Sequence, residues 1–241
     1  MTLLNSKKIA PSLSDNNPKY LELIAALFSG LLIVSNVCSN RLISVGPLEF
    51  DAGTLMFPLT YIFGDLLTEV YGYARSRRVI WAGFASMFLA VLCLYVASIF
   101  PSPVSWREQG EAWNLALGLT PRIALASLLA YLVGEFANSI TLAKMKLSKV
   151  AGSLAFRFIV STLVGQFFDT IIFASIAFLG VLDFNLWITL VVSNFVYKVA
   201  LEIILLPLSL IVVKRLIAAE NLSPETKEPS FNPFRWKVER P

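Results

Sequence analysis

Two carboxylates stand four residues apart inside an apolar stretch, in the segment FGDLLTEVYG at 63–72. In a helix, Asp65 and Glu69 lie one turn apart on the same face. A carboxylate in an apolar helix costs several kcal/mol unless it has water or a partner. The pair therefore predicts a functional role, as a binding site for a hydrogen-bond donor or for a proton.

Further polar residues occur at helical spacing in this stretch and in four others. The sets are Tyr61, Asp65, Thr68, Glu69 and Gly72; Ser29, Asn36 and Asn40; Ser127, Tyr131, Glu135 and Asn138; Thr162, Gly165, Gln166 and Asp169; and Asn194, Lys198 and Glu202. Residues at this spacing share one helix face, and polar faces turn away from lipid. The pattern predicts a polar cavity lined by five helices.

The deep charges are mostly acidic. They are Asp65, Glu69, Glu135, Asp169 and Glu202, against Arg157 and Lys198. Some carboxylates must then be protonated, or the cavity must hold a cation or a donor-rich ligand. Asp65 and Asp169 have no base at the neighbouring helical positions, so their partners must come from other helices, water or a ligand.

Purely structural roles remain open for several of these residues. Lys198 and Glu202 can form an ion pair within one helix, and Arg157 can neutralise a nearby acid. The Asn and Ser side chains can join helices rather than bind a ligand. Glu69 lies near the end of its stretch, within reach of the three arginines that follow it: Arg75, Arg77 and Arg78.

The elements that carry these residues follow from composition. The 241 residues are 56% hydrophobic and 15% charged, against roughly 25% charged in ordinary soluble domains. Six apolar stretches have about the 20 residues that a membrane-spanning helix needs. They cover about 20–38, 52–73, 79–100, 122–143, 152–180 and 186–213. The sequence predicts an all-α membrane protein with six transmembrane helices.

Basic residues predict the orientation. Most of them lie in the two tails and in the second-to-third and fourth-to-fifth connections, and such segments stay in the cytoplasm. Both termini are therefore expected to be cytoplasmic. The predicted division is an N-terminal tail at 1–19, a six-helix domain at 20–214 and a C-terminal tail at 215–241. The last is polar and contains proline, which predicts disorder.

Several classes of site are not predicted. The chain has no histidine, no Gly-rich phosphate loop and no Gly-x-Ser-x-Gly motif, so we expect no catalytic residues, metal or cofactor. Cys38 and Cys93 cannot build a disulfide framework. The net charge of +4 is explained by loops at a membrane surface, so no nucleic-acid partner is expected. The first twenty residues lack the apolar core of a cleavable signal peptide.

Four segments together resemble the queuosine precursor transporter family, also classed as vitamin uptake transporters. They are FPLTYIFGDLLTEVYGYARSRRVIWAGF (57–84), RIALASLLAYLVGEFANSITLAKMK (122–146), STLVGQFFDTIIFASIAF (161–178) and NFVYKVALEIILLPL (194–208). The resemblance covers about 20–214 and neither tail. It implies uptake of 7-cyano-7-deazaguanine, or of its 7-aminomethyl relative, across the bacterial inner membrane.

The resemblance also implies site residues. Asp65, Arg122, Asp169 and Lys198 match the family pattern, whereas the charge of Glu135 is left open because family members can carry Gln there. A deazaguanine presents N–H donors that a carboxylate can accept in bidentate fashion. The expected substrate-binding residues are Asp65, Glu135, Asn138, Gln166, Asp169, Lys198, Asn36 and Asn194. The expected structural or coupling charges are Glu69, Arg122, Arg157 and Glu202.

The leading hypothesis is a small-molecule carrier in the lipid bilayer, working alone or as a homodimer. One alternative is the substrate-capture subunit of a vitamin transporter that a separate ATPase drives. Another is a proton or cation channel with acids along a wet pore. A membrane enzyme is the weakest alternative, because no nucleophile or metal set accompanies the acids.

Overall fold

The computed structural model describes residues 18–39, 41–45, 48–117, 121–148, 152–221 and 230–235, and this part is nearly all helical. The helices are α1 (Leu21–Cys38), α2 (Phe57–Tyr71), α3 (Tyr73–Ile99), α4 (Arg107–Leu117), α5 (Pro121–Leu147), α6 (Leu154–Phe178) and α7 (Phe184–Glu220). Two short strands, β1 (Leu42–Val45) and β2 (Leu48–Asp51), pair as an antiparallel hairpin after α1. Short 3-10 helices lie at Ala52–Leu55 and Val104–Trp106.

The described residues contain five segments that are long and apolar enough to cross a membrane. Four are Leu21–Cys38, Tyr73–Ile99, Leu154–Phe178 and Phe184–Glu220. The fifth lies within Val104–Leu147, where the long described helix is α5, of 27 residues. Large apolar side chains on these helices point outward, among them Leu27, Leu89 and Ile204. The chain is therefore a multi-pass membrane protein. The helix α2 has 15 residues, about 22 Å, which is shorter than a hydrocarbon core of about 30 Å.

Gly72 joins α2 directly to α3. Its φ of 79° and ψ of 161° are open to glycine and end α2, and α3 begins at the next residue. We predicted a connection before residue 79, and this was wrong. Arg75, Arg77 and Arg78 lie in the first turns of α3 because the turn needs only one residue.

The last helix is longer than predicted, since α7 continues to Glu220 through good helix formers. Asn221 then ends it in the left-handed conformation, with φ of 49°. Of the predicted disordered tail, 215–220 belong to α7 and 230–235 pack against α3. The other tail residues, 222–229 and 236–241, lie outside the described residues, as do 1–17 of the N-terminal tail.

Two glycines bring α5 and α6 into backbone contact. A Cβ atom on Gly134 would lie 3.1 Å from the Gly165 carbonyl oxygen and 2.8 Å from the Asp169 Cβ. A Cβ on Gly165 would lie 2.8 Å from the Asn138 Cβ. Small residues let membrane helices approach closely. The close approach fixes Asn138 and Asp169 on facing sides of the α5/α6 interface.

The ends of several helices meet at one end of the bundle. Glu220 at the end of α7 accepts a hydrogen bond from the Tyr71 hydroxyl, at 2.6 Å, and from the backbone N–H of Tyr20, at 2.9 Å. We call this end the basic end, because α3, α5 and α7 also bring basic residues there: Arg75, Arg77, Arg78, Lys144, Lys146, Lys214 and Arg215.

The opposite end holds the hairpin and α4. There the Arg122 guanidinium, at the start of α5, donates to the carbonyl oxygens of Ile176 and Leu179. These acceptors lie at the end of α6, where carbonyl groups lack helical partners. The Arg122 side chain therefore holds the α5 start against the α6 end.

Candidate functional site

Four buried carboxylates and one lysine meet where α2, α5, α6 and α7 pack together. We call Asp65, Glu135, Asp169, Glu202 and Lys198 the carboxylate cluster. The exposed fractions of the four acids are 2%, 3%, 6% and 7%, in that order. Each acid comes from a different helix, so the cluster depends on tertiary packing and not on a local motif.

Asp65 has an amide as its partner. Asn138 Nδ2 on α5 donates to Asp65 Oδ1 at 3.0 Å. Among the described residues, no lysine or arginine lies within 4.0 Å of the Asp65 carboxylate. Glu202 and Glu69 lie within electrostatic range instead. The Asp65 carboxylate therefore lies among other acids without a neutralising cation in this part of the chain.

Asp169 is paired with a cation from another helix. Lys198 Nζ on α7 donates to Asp169 Oδ2 on α6 at 2.7 Å. Glu202, one turn further along α7, accepts a hydrogen bond from the Thr162 hydroxyl on α6. The salt bridge described for Lys198 is thus interhelical, and it joins α6 to α7.

Glu135 lies against a glycine. A Cβ on Gly64 would overlap the Glu135 carboxylate, so a larger residue at position 64 would displace that side chain. The Glu135 carboxylate is also within electrostatic range of Asp65 and Asp169. Gly64 on α2 therefore makes the room that lets an acid of α5 enter the cluster.

Several buried acceptor atoms in the cluster and directly beside it have no hydrogen-bond partner among the described residues. They are Glu135 Oε1, Asn138 Oδ1, Gln166 Oε1 and Glu202 Oε2. Leaving a buried acceptor unpaired costs about 1–3 kcal/mol. Such a surplus of acceptors suits a ligand that brings hydrogen-bond donors.

The site is closed in this conformation. A cavity of about 10 Å³ lies beside Thr162 and Glu202, roughly the space that one water molecule needs. The carboxylate cluster is nearly inaccessible to solvent. A ligand of the size of a nucleobase can enter this region only after helices move apart.

Glu69 lies one turn nearer the basic end and has cationic partners. Arg157 Nη2 on α6 donates to Glu69 Oε1 at 2.7 Å, and Lys146 Nζ on α5 lies 4.0 Å from the same oxygen. The sequence predicted a partner among Arg75, Arg77 and Arg78. The partners instead come from α5 and α6, because the three arginines belong to α3.

Arg77 binds the C-terminal segment 230–235 and not Glu69. Its side chain is 2% exposed, and Nη1 donates to the carbonyl oxygens of Ser230, at 2.9 Å, and Asn232, at 2.7 Å. Trp81 Nε1 donates to the Pro233 carbonyl at 2.9 Å. These bonds hold residues 230–235 against α3.

Other expected site residues lie apart from the cluster. Asn36 on α1 donates to Met87 Sδ on α3 at 3.8 Å. Asn194 is half-buried on α7, and no hydrogen bond of the described residues joins it to the cluster. Arg122 lies at the opposite end of the bundle. Sequence reasoning left Tyr61 out of the predicted site, although its position one turn before Asp65 was a signal for it.

The described residues contain no group of three His, Cys, Asp or Glu side chains that could hold a metal ion. The carboxylates of the cluster can accept N–H groups, and the Lys198 ammonium and the amides of Asn138 and Gln166 can donate to carbonyl oxygens.

Comparison with known proteins identifies relatives. The profile of a family described as "Putative vitamin uptake transporter" matches residues 51–212. A "Probable queuosine precursor transporter" of Bacillus subtilis (strain 168) is 29% identical over 178 residues, which cover 72% of this chain and 77% of that protein. Another from Haemophilus influenzae (strain ATCC 51907 / DSM 11121 / KW20 / Rd) is 30% identical over 185 residues, or 69% and 74% of the two chains. No solved structure matches the chain significantly.

The family match covers more than half of the chain. It includes α2, α5 and α6 and the part of α7 up to residue 212, which together hold the carboxylate cluster. The resemblance noted in the four sequence segments is confirmed by these relatives. Both relatives carry the name of a transporter and not of an enzyme. The chain therefore belongs to the putative vitamin uptake transporter family.

Proposed function

We propose that this protein imports a queuosine precursor, 7-cyano-7-deazaguanine or its 7-aminomethyl relative, across the bacterial inner membrane. The observation that carries the proposal is the carboxylate cluster with its unpaired acceptors, in a chain whose relatives are named for queuosine precursors. The protein works alone or as a homodimer within the lipid bilayer.

The chemistry of the substrate matches the cluster. A deazaguanine carries a ring N–H and an exocyclic NH2 along one edge, and a carboxylate can accept both. Asp65 is suited to this role, since it lacks a cation among the described residues and lies beside unpaired Asn138 Oδ1. Binding of these donors would satisfy acceptors that are unpaired in the closed site.

The proposed orientation places the basic end in the cytoplasm. It follows from the rule that basic segments stay inside, and it is supported by the meeting of α1, α2 and α7 at one end. If α2 also crosses, the chain crosses the membrane six times and reverses direction five times. A helix as short as α2 can cross where the bilayer thins or where neighbouring helices surround it.

Reporter fusions test this orientation. Fusions after Ser148 and Arg215 should read cytoplasmic, and fusions after Trp106 and Asp183 should read external. A cytoplasmic reading at Trp106 would contradict six crossings.

Transport is tested with the purified protein in liposomes that contain no other protein. Labelled 7-cyano-7-deazaguanine should accumulate inside, at a rate that empty liposomes do not show. Uptake only after addition of an ATPase-containing extract would instead favour the capture-subunit hypothesis.

The Asp169→Asn variant tests whether transport depends on the carboxylate cluster. The amide keeps the size of the side chain but leaves Lys198 without its carboxylate, so uptake should fall by at least 10-fold. Glu111→Gln is the control, because Glu111 is an exposed acid on α4 far from the cluster. Equal uptake by wild type and Asp169→Asn would remove Asp169 from the site.

A further inference from the structure

Tyr61 projects from α2 into the carboxylate cluster. Its exposed fraction is 5%, and it lies one turn before Asp65 on the same helix face. Asp169, Glu135 and Glu202 lie within electrostatic range of its phenol group. The phenol group therefore lies near acids of three other helices, α5, α6 and α7.

The hydroxyl of Tyr61 is not engaged. Among the described residues, burial and nearby charged groups act on the phenol, and no hydrogen bond to it is found. A second buried tyrosine nearby provides the contrast, because the Tyr131 hydroxyl donates to the Ile80 carbonyl on α3 at 3.0 Å. The Tyr131 hydroxyl is thus bonded to a neighbouring helix, whereas the Tyr61 hydroxyl is available to donate a hydrogen bond to a ligand.

Three other donor groups in and beside the cluster already have an acid as partner. Asn138 Nδ2 bonds Asp65, Lys198 bonds Asp169, and the Thr162 hydroxyl bonds Glu202. A guanine-like base brings several N–H donors but also a carbonyl oxygen, which needs a donor from the protein. The Tyr61 hydroxyl can supply it without breaking a bond of the closed site.

We propose that Tyr61 is a specificity-determining residue, whose hydroxyl donates a hydrogen bond to the ring carbonyl oxygen of a planar, guanine-like substrate. This inference rests on the proposed function, because it assigns a further contact to the same site. Asp65 and the neighbouring acceptors then accept hydrogen bonds from the N–H groups of the base, and Tyr61 donates one to its carbonyl oxygen. A site built to bond a polar group discriminates strongly against analogues that lack it.

The test measures discrimination between two competitors of labelled uptake. One is unlabelled 7-deazaguanine, and the other is its 6-thio analogue, which keeps the ring N–H and the amine but has a much weaker acceptor. Wild type should prefer the oxygen compound. Tyr61→Phe should reduce that preference by about 5- to 10-fold, the loss of roughly one hydrogen bond.

Tyr131→Phe is the matched control, since it removes a buried hydroxyl of the same kind that is bonded to Ile80. It should leave the ratio of the two inhibition constants unchanged, even if it lowers the amount of folded protein. Thr170→Val removes another buried hydroxyl without a partner among the described residues, next to Asp169. It should also leave the ratio unchanged.

The outcomes separate the two proposals. If wild type transports the labelled precursor and Tyr61→Phe keeps the wild-type ratio, the role of Tyr61 is refuted while the proposed function stands. A changed ratio in Thr170→Val but not in Tyr61→Phe would assign the carbonyl to Thr170 and overturn the inference. If wild type itself takes up no labelled precursor, it is the proposed function that fails.

Discussion

Asp65 and Glu69 have the same chemistry, lie on the same face of α2 and are both buried, yet their surroundings differ. Glu69 bonds Arg157 at 2.7 Å and has Lys146 nearby. Asp65 bonds the amide of Asn138 and faces other acids. One turn of helix thus separates a neutralised carboxylate from one that lacks a cation among the described residues.

The difference fits an anchoring role for Glu69 and the proposed binding role for Asp65, on the same helix. Ion pairs near the basic end join α2 to α5 and α6, and the neighbouring hydroxyls of Thr68, Ser76 and Ser139 bond one another. Deeper in the bundle, the unpaired acceptor atoms around Asp65 lower the stability of the fold. Polar groups that are costly inside a membrane protein usually serve its function. The contrast predicts that substitutions at Asp65 alter transport, and that substitutions around Glu69 alter mainly folding.

Asp65→Asn should have the largest effect on transport. The amide oxygen can still accept the bond from Asn138, so the amount of protein in the membrane should not change. The charged acceptor for substrate is lost, and uptake should fall by about 10- to 100-fold. Initial rates at equal expression measure this, with Glu111→Gln as control. Normal uptake would show that Asp65 does not contact the substrate.

Arg157→Ala should act on stability first. It leaves the buried Glu69 carboxylate with only the more distant Lys146, a loss of about 3 kcal/mol for a broken buried pair. Thermal aggregation of the detergent-solubilised protein should occur at a lower temperature. Adding Glu69→Gln to Arg157→Ala should restore part of the loss, since it removes the stranded charge. A double variant less stable than Arg157→Ala would contradict the pairing.

Glu69→Gln alone should have a smaller effect. The glutamine can still accept a hydrogen bond from Arg157, so uptake should fall by about 2- to 5-fold, through reduced protein amount or altered packing. Quantifying uptake per molecule of protein separates these causes. If Glu69→Gln abolished uptake and Asp65→Asn did not, the roles of the two acids would be reversed.

Arg77→Ala should have the smallest effect on transport. It removes the bonds to the Ser230 and Asn232 carbonyls, and about 1–3 kcal/mol of stability is expected to go with them. Uptake should stay within about 2-fold, because the bonds lie outside the carboxylate cluster. Proteolysis within 230–235 should become faster. A large loss of uptake at normal protein amount would place this segment in the transport cycle.

Much of the helical framework could be predicted from the sequence, because apolar length and polar spacing report on spans and faces. The segment predicted at 122–143 is α5, and the one at 152–180 is α6. Of the three sources predicted for a partner of Asp65, namely another helix, water or a ligand, the structure shows the first, in Asn138. The spacing of polar residues shows which face of each helix is polar. This is enough to predict that the acidic residues of different helices face one another.

Partners and boundaries could not be predicted in the same way. The turn between α2 and α3 depends on the backbone conformation of the single residue Gly72. The sequence does not reveal this conformation, so Arg77 was predicted to lie in a loop between the two helices. Whether Glu69 pairs with α3 or with α6 depends on the rotation and depth of packed helices, which spacing does not encode. The hairpin and α4 were missed because short segments carry too little periodicity.

Backbone contact at Gly134 and Gly165 decides which parts of the bundle can move. Close packing leaves α5 and α6 little freedom to slide, so they form a static wall that carries Glu135, Asn138 and Asp169. Opening the closed site must then displace α2, α7 or both from this wall. Displacing α2 breaks the Asp65–Asn138 bond, and displacing α7 breaks the Asp169–Lys198 bond. In the proposed function, N–H donors of the substrate would replace the donor that each acid loses.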